Sequence, residues 1–104
     1  MISQLTPLQS FDLTVLSSFK SKHARPVMDS RKVTAGDIFL ACPGGSADGR
    51  DYIAAALKQG AAFVLWDDAG DFVWQDAWQV PNLAVTGLAD QAGLVAAYLL
   101  HEPA

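Results

Sequence analysis

The sequence contains a single cysteine, Cys42, and only two histidines, His23 and His101, which lie far apart. One cysteine excludes an internal disulfide, and this spacing matches no metal-binding pattern. No segment approaches the roughly 20 apolar residues that span a membrane, and the N-terminus lacks the pattern of a signal peptide. We therefore predict a chain without a metal site or membrane association, in a reducing, cytoplasmic setting.

Positive charge is absent from the second half of the chain. All seven Lys and Arg residues lie within the first 58 positions, so that this part carries +2 and the remaining 46 residues carry −6. Nucleic acid is excluded as a partner of so acidic a chain, because binding to phosphates requires clustered Lys and Arg. A small anionic ligand bound by the first half is compatible with this distribution.

The usual catalytic patterns are also missing. The chain has no GxxxxGK[ST] or GxGxxG motif, no Ser-His-Asp set and no paired carboxylates, so we assign no catalytic residue. Its 104 residues suffice for one domain, residues 1–104, which we expect to be monomeric. Hydrophobic residues make up 51% and charged residues 17%, a composition typical of a folded domain.

Apolar runs and helical periods alternate along the chain. Helical spacing predicts one or two short helices at residues 3–20, a helix over Asp51–Gln59 that ends before Gly60, and a helix over 87–100 capped by Thr86. The predicted helical face of the last contains Leu88, Ala92, Val95 and Leu99. Extended segments are predicted at Pro26–Met28, Asp37–Cys42, Ala61–Trp66 and Val80–Val85.

This alternation of strands and helices predicts an α/β fold, a small mainly parallel sheet flanked by helices. In the acidic stretch 67–79 we expect Phe72, Trp74 and Trp78 to cap the sheet. Ligands of such sheets collect beyond the carboxyl ends of the strands. Two segments with polar and small residues follow strands in this way: Asp29-Ser30-Arg31 and the loop Pro43–Arg50.

Each segment has a structural and a functional interpretation. Asp29 can cap local N–H groups while Arg31 faces solvent, or Ser30 and Arg31 can bind a ligand oxygen. The loop Gly44–Ala47 can be a simple turn, or its backbone N–H groups can bind a phosphate. Asp48 can cap the following helix, with Arg50 paired to an acid of the same loop.

The string DSRKVTAGDIFLACPGGSADGRDYIAAALKQGAAFVL, residues 29–65, resembles the N-terminal domain of the Mur ligase family, and within that family the MurE branch. The shared pattern is DSR, GD, an apolar strand, a triplet before DGR, a helix and GA, and YLLHEP resembles the close of that domain. The MurF branch usually has DGH, so that Arg50 favours MurE. A stand-alone interaction module built on residues 67–78 is the alternative from another class.

The resemblance implies a substrate site at Met28, Ser30, Gly45, Ser46 and Ala47 that binds the UDP end of UDP-MurNAc-L-Ala-D-Glu. The triplet often begins with His in the family, whereas Gly45 leaves only backbone contacts. The resemblance also implies a cytoplasmic ligase of peptidoglycan synthesis that uses ATP and Mg²⁺ to add meso-diaminopimelate or L-lysine. Because the family's next element is a P-loop strand, we expect residues 1–104 to be an inactive, truncated part of that enzyme, with no cofactor of its own.

Overall fold

The computed structural model describes Leu16 and residues 24–44 and 48–100. It contains a four-stranded sheet in the order β1-β2-β3-β4, in which every neighbouring pair is parallel. The strands are β1 Pro26–Val27, β2 Ile38–Ala41, β3 Phe63–Asp67 and β4 Asn82–Val85. The predicted α/β class with a parallel sheet is confirmed, although the last strand begins two residues later than expected.

Two helices and two 3₁₀ turns with defined bounds accompany these strands in the described part of the chain. Helix α1 spans Ile53–Lys58 and helix α2 spans Leu88–Leu100. One 3₁₀ turn, Ser30–Lys32, follows β1, and the other, Gly49–Tyr52, leads directly into α1. The predicted helix at Asp51–Gln59 therefore exists but starts as a 3₁₀ turn, and Gly60 ends it with a positive φ of 106°.

Alternate residues of the central strands face two separate apolar clusters. Ile38 and Leu40 of β2 belong to the cluster that includes α2, whereas Phe39 and Ala41 belong to the cluster that includes α1. Strand β2 is buried along its whole length because both faces of the sheet are covered. The helical face predicted for α2 is confirmed, since Leu88, Val95 and Leu99 are buried and Ala92 packs against them.

The expected aromatic cap of the sheet is also confirmed. Trp66, Phe72, Trp74 and Trp78 form a chain of ring contacts with centroid separations of 5.1–6.2 Å. They pack against the cluster on the α1 side of the sheet. The indole Nε1 of Trp66 donates to Asn82 Oδ1 at 3.0 Å, and that of Trp74 donates to the Trp78 carbonyl at 3.2 Å. The rings of this acidic segment are thus largely engaged in contacts with other residues of the fold.

The predicted cap of α2 by Thr86 is wrong. The Thr86 hydroxyl donates to Asp68 Oδ2 at 2.9 Å, and the Leu88 N–H at the helix start donates to Asp67 Oδ2 at 3.0 Å. The buried carboxylate of Asp67 also accepts a bond from the Ala69 N–H at 2.8 Å. The last residue of β3 therefore caps the helix that follows β4, across the edge where both strands end.

Several predictions lie outside the described residues. These are the helices at residues 3–20, of which only Leu16 is described, the triplet Gly45, Ser46 and Ala47, both histidines, and the last four residues. Among the described residues, no helix has the length and hydropathy that a membrane span requires.

Candidate functional site

A cavity of about 610 Å³ lies where the chain leaves β1 and β2. Its walls include residues 28–31 after β1, Cys42 after β2, and Gly49 and Tyr52 of the second 3₁₀ turn. Because β1 and β2 are parallel neighbours, their carboxyl ends bring the two predicted segments to the same edge of the sheet. The volume falls within the range of about 300–1,000 Å³ that is typical of small-molecule sites.

The first charged triplet forms a closed local unit. Asp29 caps the Ser30–Lys32 turn by accepting the Arg31 N–H at 3.0 Å, and it pairs with the Arg31 guanidinium at 2.9 Å. The Arg31 side chain remains 87% exposed. Its hydrogen bonds hold the pKa of Asp29 down at about 2, while Asp29 raises the pKa of Arg31 and Tyr52 adds a smaller contribution. The structural interpretation of Asp29 is thus confirmed, and Arg31 stays positively charged beside the cavity.

Ser30 differs from its two charged neighbours because it is only 8% exposed. It lines the cavity, and its hydroxyl forms no hydrogen bond with any residue in the described part of the chain. A buried hydroxyl without a partner is costly, so that most such groups in folded proteins are paired. Ser30 therefore offers the cavity a polar group that the described residues leave unsatisfied.

The second triplet, Asp48-Gly49-Arg50, repeats the geometry of the first. Asp48 caps the Gly49–Tyr52 turn by accepting the Arg50 N–H at 2.9 Å, and it pairs with the guanidinium at 2.8 Å. The pairing lowers the pKa of Asp48, against the effect of burial. The predicted cap and the predicted pairing within the loop are both confirmed, although the capped element is a 3₁₀ turn.

Arg50, unlike Arg31, is buried and links two strand ends. Its Nη1 donates to the carbonyls of Asp67 at 2.8 Å and Ala69 at 2.6 Å. The guanidinium also lies 5.1 Å from the centre of the Phe72 ring. Arg50 thus ties the loop after β2 to the end of β3, and its role in this structure is to hold the cavity wall.

The loop between β2 and the second turn closes tightly on itself. Pro43 and Asp48 form an antiparallel bridge, and the Gly49 N–H donates to the Cys42 carbonyl at 2.8 Å. A Cβ at position 49 would lie 2.8 Å from that carbonyl oxygen, so a side chain cannot fit without a backbone shift. Both ends of the predicted binding triplet are therefore fixed at the cavity, while the triplet itself lies outside the described residues.

Cys42 has no indication of nucleophilic chemistry. Burial raises the pKa of its thiol to about 11, and the carboxylates of Asp67 and Asp48 add to the effect. A thiol with such a pKa is almost entirely protonated at neutral pH. Cys42 is a small side chain buried in the core, with 9% of its surface exposed. Among the described residues, no three His, Cys, Asp or Glu side chains are grouped as a metal site would require.

The structure thus brings Met28 and Ser30 together with Tyr52 and Gly49, two residues that were not predicted as site residues. Tyr52 could have been found from its position, because it closes the turn that follows DGR and so lies at the same edge of the sheet. Sequence spacing alone does not show that Tyr52 lines the cavity.

Comparison of the sequence with known proteins identifies a family that it matches. The model of the Mur ligase family, catalytic domain, matches residues 27–98. The UDP-N-acetylmuramoyl-L-alanyl-D-glutamate–2,6-diaminopimelate ligase of Chromobacterium violaceum is 52% identical over 103 residues, which are 99% of this chain and 21% of that protein. The ligase of the same name from Neisseria meningitidis serogroup A is 48% identical over 97 residues, which are 93% of this chain and 20% of that protein. This chain spans about a fifth of the length of these relatives.

Solved structures agree with this result. The MurF ligase of Thermotoga maritima, crystallised with ADP, is 30% identical with a TM-score of 0.53 over 66% of this chain and 15% of that chain. A MurF structure from Acinetobacter baumannii has a TM-score of 0.58 and covers 89% of this chain and 22% of that chain, and at 21% identity it shows similarity of fold alone.

Proposed function

This chain belongs to the Mur ligase family, and from that premise we propose that it is the N-terminal domain that binds the UDP end of the substrate in a MurE-type ligase. The whole protein would join an amino acid to UDP-MurNAc-L-Ala-D-Glu in the cytoplasmic synthesis of peptidoglycan. Its relatives of about 50% identity carry the name of the ligase for 2,6-diaminopimelate, which makes that amino acid our choice over L-lysine.

The observation that carries this proposal is the unsatisfied hydroxyl of Ser30 in the cavity wall. A ligand with several oxygen and nitrogen atoms satisfies such a group, which apolar ligands cannot do. Arg31 adds a positive charge beside the same cavity, although it is already paired with Asp29. An oxygen-rich, negatively charged ligand such as a nucleoside diphosphate suits these two residues together.

Each proposed binding residue has a distinct task. Ser30 hydrogen-bonds the ligand, and Met28, which is 54% exposed at the cavity, provides an apolar contact. The backbone N–H groups of Gly45, Ser46 and Ala47 bind the diphosphate from the loop whose ends Pro43 and Asp48 hold. None of these groups takes part in bond making, so the role of this chain is to bind and orient the substrate.

ATP and Mg²⁺ do not fit the residues of this chain. The sequence has no GxxxxGK[ST] motif, and the described residues contain no cluster of carboxylates suited to a metal. We therefore propose that ATP and Mg²⁺ bind in the remaining four-fifths of the enzyme.

The MurF branch and the interaction module are weaker alternatives. The MurF structures are less similar, at 21–30% identity, than the relatives named for 2,6-diaminopimelate. An interaction module would use the rings of residues 67–78, but Phe72, Trp74 and Trp78 contact one another and Trp66.

A titration of the isotope-labelled 104-residue chain with UDP tests the proposal. Amide signals of residues 28–31, 44 and 48–50 should shift together, while the indole signal of Trp74 stays unchanged. Ser30→Ala should weaken UDP binding about fivefold, the usual effect of losing one hydrogen bond of about 1 kcal/mol. Its melting temperature should not fall, because the hydroxyl forms no hydrogen bond with the residues that the structure describes.

The same titration can refute the proposal. If millimolar UDP moves none of these signals, or moves those around Trp74, the assignment of the site fails for this chain. If Ser30→Ala lowers the melting temperature but leaves UDP affinity unchanged, the hydroxyl has a structural role and the proposal loses its main support.

A further inference from the structure

Large apolar side chains are concentrated at the mouth of the cavity. The described part of the chain leaves four of them exposed, Met28, Tyr52, Val73 and Leu94, and the first two line this one cavity. Exposed apolar groups that meet at a concave site commonly mark a ligand surface, whereas isolated ones are ordinary. The proposed function assigns Met28 an apolar contact with the ligand, but it assigns no role to Tyr52.

Tyr52 is held in place through the backbone of the turn to which it belongs. It ends the turn that Asp48 caps, and Gly49 of that turn is hydrogen-bonded to Cys42. The next residue, Ile53, is fully buried. The ring therefore starts from a rigid position and is still 47% exposed, so that a ligand can cover the remaining surface without rearranging the fold.

We infer that Tyr52 contributes to affinity by packing its ring against the planar base of the nucleotide, in the cavity that it lines together with Met28. This inference rests on the proposed function. The base is the part of a nucleoside diphosphate that has a flat apolar face, and the Tyr ring and Met28 are the exposed apolar groups available to it. Ser30 and the loop are left for the polar atoms of the ligand.

Two physical features support the pairing of base and ring. Stacking of a nucleobase on an aromatic side chain buries apolar surface on both partners and is a recurrent source of affinity. Phe39 and Ala55 also line the cavity, so that its lining includes further apolar side chains.

The test compares UDP binding by wild type, Tyr52→Phe, Tyr52→Leu and the control Leu94→Ala. Leu94 is exposed on α2 and does not line the cavity. Tyr52→Leu should weaken UDP binding about 5- to 10-fold, in line with the loss of one base–ring stack, and Tyr52→Phe should stay within about twofold because it keeps the ring. Leu94→Ala should bind as wild type does.

The uracil protons give a second, direct measurement. Stacking on the ring should shift them upfield in the wild-type and Tyr52→Phe complexes, and this shift should disappear with Tyr52→Leu. If UDP binds wild type and Tyr52→Leu equally well, or if the uracil protons do not shift, the inference is wrong while the proposed function stands. If wild type does not bind UDP at all, the proposed function fails and the inference fails with it.

Discussion

Gly49 shows how a single residue without a side chain shapes the site. Its N–H donates a hydrogen bond to the Cys42 carbonyl, and this close approach leaves no room for a Cβ. The sequence reveals this glycine only as the centre of an Asp-Gly-Arg triplet, in which any small residue would look acceptable. The restriction comes from a neighbour seven positions earlier, which the local pattern does not show.

We expect Gly49→Ala to lower the free energy of unfolding by about 1–3 kcal/mol, because the new methyl group must displace backbone atoms. Gly93→Ala is the matched control, since position 93 lies within α2 with no atom within 4 Å of the added Cβ. That substitution should raise stability by about 0.5–1 kcal/mol through helix propensity. Chemical denaturation of both variants measures the difference, and equal effects of the two would contradict our account of Gly49.

At the scale of elements, the two Asp-X-Arg triplets are the clearest comparison. Both cap a 3₁₀ turn and both close an Asp–Arg pair two residues apart. Arg31 projects into solvent, whereas Arg50 reaches the carbonyls at the end of β3. The same local sequence therefore produces a solvent-exposed ion pair at one strand end and a buried connection between strands at the other.

We expect Arg50→Lys to cost about 1–3 kcal/mol, because a single ammonium group cannot donate to Asp48 and to the carbonyls of Asp67 and Ala69 at the same time. Arg31→Lys is the control with the same local motif, and its cost should not exceed about 1 kcal/mol, as for other exposed pairs. Thermal and urea unfolding of the two variants provide the measurement. A cost for Arg31→Lys as large as that for Arg50→Lys would show that local pairing, and not the link to β3, determines stability.

The elements also show what the sequence can and cannot predict. Strands β2 and β3 were predicted because each is a short continuous apolar run, and helix α2 because its apolar residues recur with the helical period. The cap of α2 was wrong because the residue that provides it, Asp67, is 21 positions away from Leu88. Likewise, Met28 and Ser30 were predicted as binding residues from the family pattern, whereas Tyr52 lies at the same cavity because the Gly49–Tyr52 turn brings it to the end of β1.

At the scale of the whole molecule, the central strands are shared by both apolar clusters. Side chains of β2 and β3 alternate between the cluster with α2 and the cluster with α1 and the tryptophans. Losing either cluster exposes one face of the same two strands, which removes the support of the other. The fold of the described residues should therefore behave as one cooperative unit.

We expect the chain to unfold in a single transition in which tryptophan fluorescence and far-ultraviolet circular dichroism coincide. Fluorescence reports the cluster around Trp66, while the dichroism signal includes α2 on the opposite face of the sheet. Leu88→Ala tests the coupling because Leu88 belongs only to the α2 cluster; its loss should cost about 2–5 kcal/mol and move both signals equally. Amides of β2 and β3, which are paired on both sides, should exchange most slowly with solvent. If Leu88→Ala shifts the dichroism transition and leaves the fluorescence transition where it was, the two faces fold separately and the cavity edge does not depend on α2.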